Sequence, residues 1–357
     1  MKNFSRQLRT KASGFSLMEL MVAMAVFLVV GGAAVALFRR HVPLFSQQQS
    51  QASVNVAMRN AAAQMQIDLA NAGSGYYPGI NIPAWPIGVT IVFPAVGAPC
   101  FTAPSTYAAG CFDTLNIISA DRNTPPANPT IVGGGCNLLT ASPLYLQPIA
   151  PTTAAQLAAL YNTGDEVLLV NSSGTQMSTV VLTSPGVVSG GLVQLAHAPV
   201  NANGIDPADA PPGLNITNTG ETNLVYNGGV SKLGTQFCPA DWAIKLSVIT
   251  YSVDTTTNPA DPSLVRTQNG QTNVLADQII GFKVGAWDTV TTQYEYNTAA
   301  NYGSDWSTIQ SVRLSMIGRT NPVTGAMAGF TNTFDNGPYK VEGISIVVNP
   351  RNLSMNN

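Results

Sequence analysis

From Leu20 to Phe38 the sequence carries no charged and no strongly polar side chain, and Arg39 and Arg40 close the run. Counted from Phe15, the stretch is 24 residues long, about 36 Å as a helix. A hydrocarbon core is about 30 Å thick, so this segment can cross one with some tilt. Residues 1–14 on its N-terminal side hold Lys2, Arg6, Arg9 and Lys11 and no acid. That basic flank predicts a cytoplasmic N-terminus, with the bulk of the chain across the membrane. A secretory signal peptide is the plain alternative, with Ala34-Val35-Ala36 as its cleavage site. Two features oppose it. The apolar run exceeds the roughly 7–15 residues of a signal peptide. Glu19 also sits inside its start, and a carboxylate at a membrane centre costs about 2.5–3.5 kcal/mol, less near the interface.

The rest of the chain has the balance of a folded protein. Hydrophobic residues make up 45% and charged residues 10% of the 357, whereas a disordered chain would be rich in charge and poor in apolar residues. The leader also masks an acid excess. Without its four cations, 12 Lys and Arg face 18 Asp and Glu. A mildly acidic body gives no electrostatic footprint for nucleic acid.

Helical periodicity continues past the apolar run to about Ala72. Val54, Met58, Ala61, Ala62, Met65, Leu69 and Ala72 recur at three- and four-residue steps and mark one apolar face. Pro43 should kink or break this helix, and Gly73, Gly75 and Pro78 should end it. Gly, Pro, Thr, Asn and Ser then become abundant, which favours short strands joined by turns. The expected strands are Thr90–Phe93, Thr114–Ser119, Glu166–Asn171, Thr179–Thr183, Leu192–Leu195, Ala243–Ser252, Leu264–Gln268, Ile279–Ala286, Ser311–Gly318 and Glu342–Val348. The string from Asn171 to Thr175 reads as a hairpin turn. Segments 121–163 and 197–223 read as long surface excursions, with a short helix at Ala154–Tyr161.

The string Gly14-Phe15-Ser16-Leu17-Met18-Glu19-Leu20, followed by a long apolar helix, resembles the prepilin processing motif of type IV pilins and type II secretion pseudopilins. The resemblance implies cleavage between Gly14 and Phe15 by a membrane peptidase, and N-methylation of Phe15. Glu19 then stands at the family's glutamate position, fifth in the mature chain. Its carboxylate could neutralise the Phe15 ammonium of its own helix, four residues away, or that of a neighbouring subunit in a filament.

The order of C-terminal segments, from Tyr251-Ser252-Val253 through Asp277-Gln278-Ile279-Ile280-Gly281-Phe282 to Val312-Arg313-Leu314, is similar to the PilW group of minor pilins and its secretion counterpart, the PulJ pseudopilins. The implied fold is α+β. A long N-terminal helix, membrane-spanning in its first half and amphipathic in its second, packs on an antiparallel β-rich pilin-like head with long loops. The implied segments are a cleaved leader (1–14), a membrane and filament-core helix (15–38), its amphipathic continuation (39–72) and the head (73–357).

The implied function is initiation and assembly of a type IV pilus, at the tip. A secretion pseudopilin and a tip adhesin or DNA-uptake pilin are the alternatives. Implied partners are the prepilin peptidase, other minor pilins and the major pilin. The implied location is the bacterial inner membrane, with the head in the periplasm, and then the filament.

Other chemistry finds little footing. Only His41 and His197 are available for a His-based site, and no GxSxG, HExxH or P-loop pattern occurs. No cofactor, metal site or catalytic residue is expected. Asp206 with Asp209, or Asp254 with Asp261, could line a calcium loop but fit no EF-hand spacing. The even set Cys100, Cys111, Cys136 and Cys238 allows two disulfides in three pairings, and none lies in a CxxC. Cys100–Cys111 would close a short loop and leave Cys136–Cys238.

Overall fold

The computed structural model describes residues 16–74, 88–92, 101–103, 106–107, 111–173, 176–200, 232–288, 292–296, 311–322 and 329–351. Helix α1 (Leu17–Ala70) is followed by β1 (Val89–Val92), β2 (Phe101–Ala103), β3 (Thr106–Tyr107) and β4 (Thr114–Ala120). Next come β5 (Ala127–Thr130), β6 (Asn137–Leu138), β7 (Leu144–Pro148), α2 (Ala154–Ala158), β8 (Glu166–Val170), β9 (Gln176–Val181), β10 (Val187–Ser189) and β11 (Leu192–Leu195). Then follow β12 (Lys232–Leu233), β13 (Gln236–Phe237), β14 (Trp242–Asp254), β15 (Ser263–Gln268), β16 (Gln271–Ala276) and β17 (Ile279–Asp288). The order ends with β18 (Gln293–Glu295), β19 (Val312–Arg319) and β20 (Val341–Val348).

Helix α1 begins at a capping box. Glu19 N–H donates to Ser16 Oγ and Ser16 N–H to Glu19 Oε2, both at 3.2 Å, which satisfies donors that the first turn leaves open. Pro43 lies inside the helix without ending it. A proline costs one i→i−4 bond, but its fixed φ of about −65° is helical, so of the expected kink or break the break does not occur. The helix closes at Asn71, whose Nδ2 donates to Ile67 O at 2.8 Å, and Gly73 follows with φ 69°.

The apolar face expected in the second half is the buried one. Met58, Ala61, Met65, Leu69 and Ala72 are all 1% exposed or less. They join Val89, Leu115, Tyr251, Leu264, Ile279, Phe282, Leu314 and Met316 in one core. Strand β19 passes so close to the helix that a Cβ at Gly318 would stand 2.6 Å from Val54 Cγ1. Only glycine fits there without displacing one of the two elements.

Strand β14 links two lobes. Its part from Leu246 to Tyr251 pairs with β4, and Ile249–Asp254 pairs with β15. Its first residues, Trp242 to Lys245, pair with β8, and Ala243 also meets Ala127 of β5. The first lobe, the body, holds α1, β1, β4, β15, β16 and the antiparallel sheet β18-β17-β19-β20. The second, distal lobe is built on the path β10-β11-β7-β5-β14-β8-β9-β12. Described ladders are antiparallel except β9 with β12.

The distal lobe corrects the reading of residues 121–163 as a surface excursion. They form β5, β6, β7 and α2, and Ala127, Leu139, Leu144, Leu146, Leu157 and Tyr161 are buried in a second core. Helix α2 lies within the short helix expected at Ala154–Tyr161, but the apolar residues of β5, β6 and β7 come in short runs among prolines and glycines, too short to show a period. Residues 201–223 of the other excursion lie outside the described residues; His197 and Val200 before them are buried.

Candidate functional site: the N-terminal helix and its seat

Two halves of α1 meet different surroundings. Leu17, Met18, Phe27, Leu28, Val29 and Phe38 are all exposed. The most apolar 18-residue window of α1 has a mean hydropathy of 2.6, and none of it is buried. Such a surface is unstable in water and suits a membrane or a bundle of like helices. Gly14 and Phe15 lie outside the described residues. Glu19 stands at the head of this surface in the capping box, and His41 is exposed beyond it.

Beyond Gln49 the helix is clamped to the head by polar contacts as well as packing. Asn321 N–H donates to Ser50 Oγ at 3.3 Å, and Gln51 Nε2 donates to Glu342 Oε1. The main anchor is Asp68. Its Oδ2 accepts from Arg266 Nε at 2.8 Å and from Tyr251 OH at 2.5 Å, while Oδ1 accepts from Gln64 Nε2 at 3.3 Å. Burial pushes the Tyr251 hydroxyl well above its ordinary range, and the bond to Asp68 adds to the rise. Burial works against the Arg266 charge, but the hydrogen bond and charge of Asp68 outweigh it and leave the guanidinium above its usual value. Asp68 was not singled out in the sequence. The signal was there: an acid in the last turn of a helix opposes the macrodipole and needs a partner.

Two further carboxylates brace the body. Asp113 is fully buried, with Oδ1 2.9 Å from Lys283 Nζ and Oδ2 accepting from Val284 N–H at 2.8 Å. Burial pushes its carboxyl up despite these bonds. Asp335 accepts from Tyr107 OH and Tyr339 OH, from Asn332 Nδ2 at 2.8 Å and from Gly337 N–H at 3.0 Å. Burial would raise its carboxyl, and these bonds together hold it below the ordinary range.

The other sequence candidates have local roles. His197 is buried, with Nδ1 2.7 Å from Ala198 O. Asp254 accepts from the hydroxyls and backbone N–H groups of Thr256 and Thr257, and Asp261 from Gln278 N–H. Asp206 and Asp209 lie outside the described residues. Cys136 and Cys238 form a disulfide across 102 residues. Cys111 is buried; Cys100, and so the Cys100–Cys111 pairing, lies outside the described residues. Among the described residues, the bonds of Glu19 are to Ser16 and to none of these groups.

The model of the prokaryotic N-terminal methylation motif matches residues 9–35. No curated protein matches the chain. Among solved structures, a type IV-like pilin from Thermus thermophilus aligns over 56% of this chain and 94% of its own, with 13% identity and a TM-score of 0.21. The methylation motif, standing at the start of a long exposed apolar helix seated on an antiparallel β-rich head, supports a general type IV pilin-like character for this chain.

Proposed function

We propose that this chain is a minor type IV pilin of the PilW kind, taking part in initiation and assembly of the filament at its tip. The observation that carries the reading is the methylation motif over residues 9–35, placed at the start of a helix whose first half is bare and apolar and whose second half is locked into the head. The first half is the part that would exchange lipid for the company of other helices, and the lock transmits its position to the head.

In this reading residues 1–14 are removed after Gly14, Phe15 is N-methylated, and Glu19 meets the Phe15 ammonium of a neighbour. An unpaired charge in that layer is costly, so the pairing would set the axial register of subunits. The partners are the prepilin peptidase, the other minor pilins and the major pilin. The chain waits in the inner membrane with its head in the periplasm. Its role is assembly, with no reaction of its own and no cofactor.

The test is co-expression with the cognate prepilin peptidase and a mass measurement of the mature N-terminus, followed by deletion of the gene. A chain starting at methylated Phe15, with filaments lost and protein secretion intact on deletion, is the expected result. A start after Ala36, or an uncut chain beside active peptidase, would overturn it. Loss of secretion with filaments intact would give the chain to the PulJ pseudopilins. Glu19→Ala should still be processed yet be scarce in sheared filaments.

A further inference from the structure

Past the end of α1 the sheet beneath it runs on, and its character changes. Register sets Tyr251 of β14 between Leu115 of β4 and Arg266 of β15, beneath Asp68. The next row on the same face is Ile117, Ile249 and Gln268, and the row after that is Ser119 and Ser247. Leu115, Tyr251 and Ile117 are buried, whereas Ser119 and Ser247 are half-buried. The helix stops at Ala70 and leaves those last rows as the floor of a cleft of about 250 Å³.

The cleft is lined by four charged side chains, Asp68, Asp121, Arg122 and Arg266. Three are already partnered. Asp68 and Arg266 meet at 2.8 Å. Asp121 accepts from Asn123 N–H at 3.1 Å and from Thr124 Oγ1 at 2.7 Å, with Lys245 Nζ 4.0 Å away. Arg122 differs. It is exposed, and its one hydrogen bond among the described residues is a long one, from Nη2 to Asn71 Oδ1 at 3.4 Å. A guanidinium carries five N–H donors in a planar fork that matches a carboxylate, so most of this fork is open to a ligand.

The floor adds neutral groups. Ser247 Oγ accepts from Gln268 Nε2 at 3.1 Å, which leaves the serine its own proton to donate and the glutamine its amide oxygen to accept. Ser74 and Ser119 bring two more hydroxyls to the lining.

We propose that this cleft binds a small hydroxylated monocarboxylate, a sugar acid, with its carboxylate on Arg122 and its hydroxyls on the serines and Gln268. The volume is below the roughly 300–1,000 Å³ of sites for drug-sized ligands, which limits the occupant to about one sugar unit. A doubly charged phosphate is disfavoured by Asp68 and Asp121 in the same lining. An uncharged sugar leaves the guanidinium without a charge-assisted partner, and an apolar molecule strands the polar lining away from water. A free sugar acid and the acid unit at the end of a polysaccharide offer the same chemistry. The site stands on its own residues, whether or not the chain is a filament subunit.

The test uses the full-length chain in lipid nanodiscs, with empty nanodiscs as the baseline. Saturation-transfer NMR follows titrations of D-glucuronate, D-glucose, N-acetylglycine and glycerol phosphate. The expected result is saturable binding of D-glucuronate. D-Glucose lacks the carboxylate and N-acetylglycine lacks the hydroxyls, and each should bind roughly tenfold more weakly. Arg122→Gln, at an exposed position, should lose roughly tenfold in affinity for D-glucuronate, and NaCl should weaken binding to the parent. Ser247→Ala should narrow the preference for D-glucuronate over N-acetylglycine with the near-ultraviolet circular dichroism unchanged. A glucuronate-ended oligosaccharide that binds as tightly as the monomer gives the cleft to a chain end, and one that does not bind gives it to the free acid; both uphold the site.

Absence of saturable binding, preference for D-glucose or glycerol phosphate, or undiminished binding by Arg122→Gln would overturn the proposal. Equal affinity for N-acetylglycine would overturn it too, and would give the cleft to the acidic side chain of a peptide instead.

Discussion

The body and the distal lobe share β14 but are held together by different physics. In the body, charged groups are partnered at half-buried or buried positions: half-buried Asp68 with Arg266, buried Asp113 with Lys283, and buried Asp335 with two tyrosine hydroxyls. In the lobe, a core of Leu, Val, Tyr and Phe is supplemented by one covalent cross-link. Ion pairs and hydrogen bonds are directional, so they can fix the rotation and depth at which a long helix sits. Apolar packing with a disulfide holds shape without adding charge to the surface. Lys245 lies where the two regimes meet, donating to Leu160 O at 2.7 Å beside Asp165.

The largest effect is expected in the body. Asp68→Ala leaves the half-buried Arg266 guanidinium without its counter-charge and the buried Tyr251 hydroxyl without its acceptor, and should cost about 3–5 kcal/mol, measured by urea unfolding in detergent. Pairing it with Arg266→Met should recover much of that loss, because the stranded charge is removed as well. If the double variant is no better than Asp68→Ala, the clamp is packing and the contrast between the lobes fails.

A smaller and more local effect is expected from Cys136→Ser with Cys238→Ser. Opening a loop across 102 residues should cost about 2–4 kcal/mol. Hydrogen exchange should accelerate in β5, β7 and β11 while α1 from Val54 to Ala70 keeps its protection. Equal loss in both regions would show that the two cores unfold as one unit.

The smallest effects separate two carboxylates within the body by their pH dependence. Asp335 is held below its ordinary value, so its contribution is present above the unfolded value, about 3.9, and is lost as pH falls through the folded one. Asp113 is pushed up by burial, so its contribution is present below the unfolded value and is lost as pH rises through the folded one. Asp335→Asn should therefore flatten the acid loss of stability, and Asp113→Asn should steepen it. Unfolding midpoints between pH 3 and pH 7 would show whether the two slopes part in those directions.

Residues close in sequence gave themselves away. The face from Val54 to Ala72 was legible because helical spacing repeats over several turns, and Leu192–Leu195 and Thr114–Ser119 because they are continuous apolar or alternating runs. Strands β5 and β7 were not, because their apolar residues are few and lie among prolines; only the burial of Leu144 and Leu146 against β11 makes them core. Asp68 looked like one more polar residue on the helix, since its partners Tyr251 and Arg266 are 183 and 198 residues away.

The amino-acid order alone established the bare apolar helix, its basic flank, its processing-type motif and the periodic face by which it would seat. Each depends on neighbours within a few residues, and local geometry suffices to read them. Which acid clamps the helix, which cysteines meet, and that the residues after Arg122 form a second lobe with a core of its own were decided by tertiary structure. Those outcomes depend on burial and long-range pairing, where a charge is retained only beside a partner that distant parts of the chain bring to it.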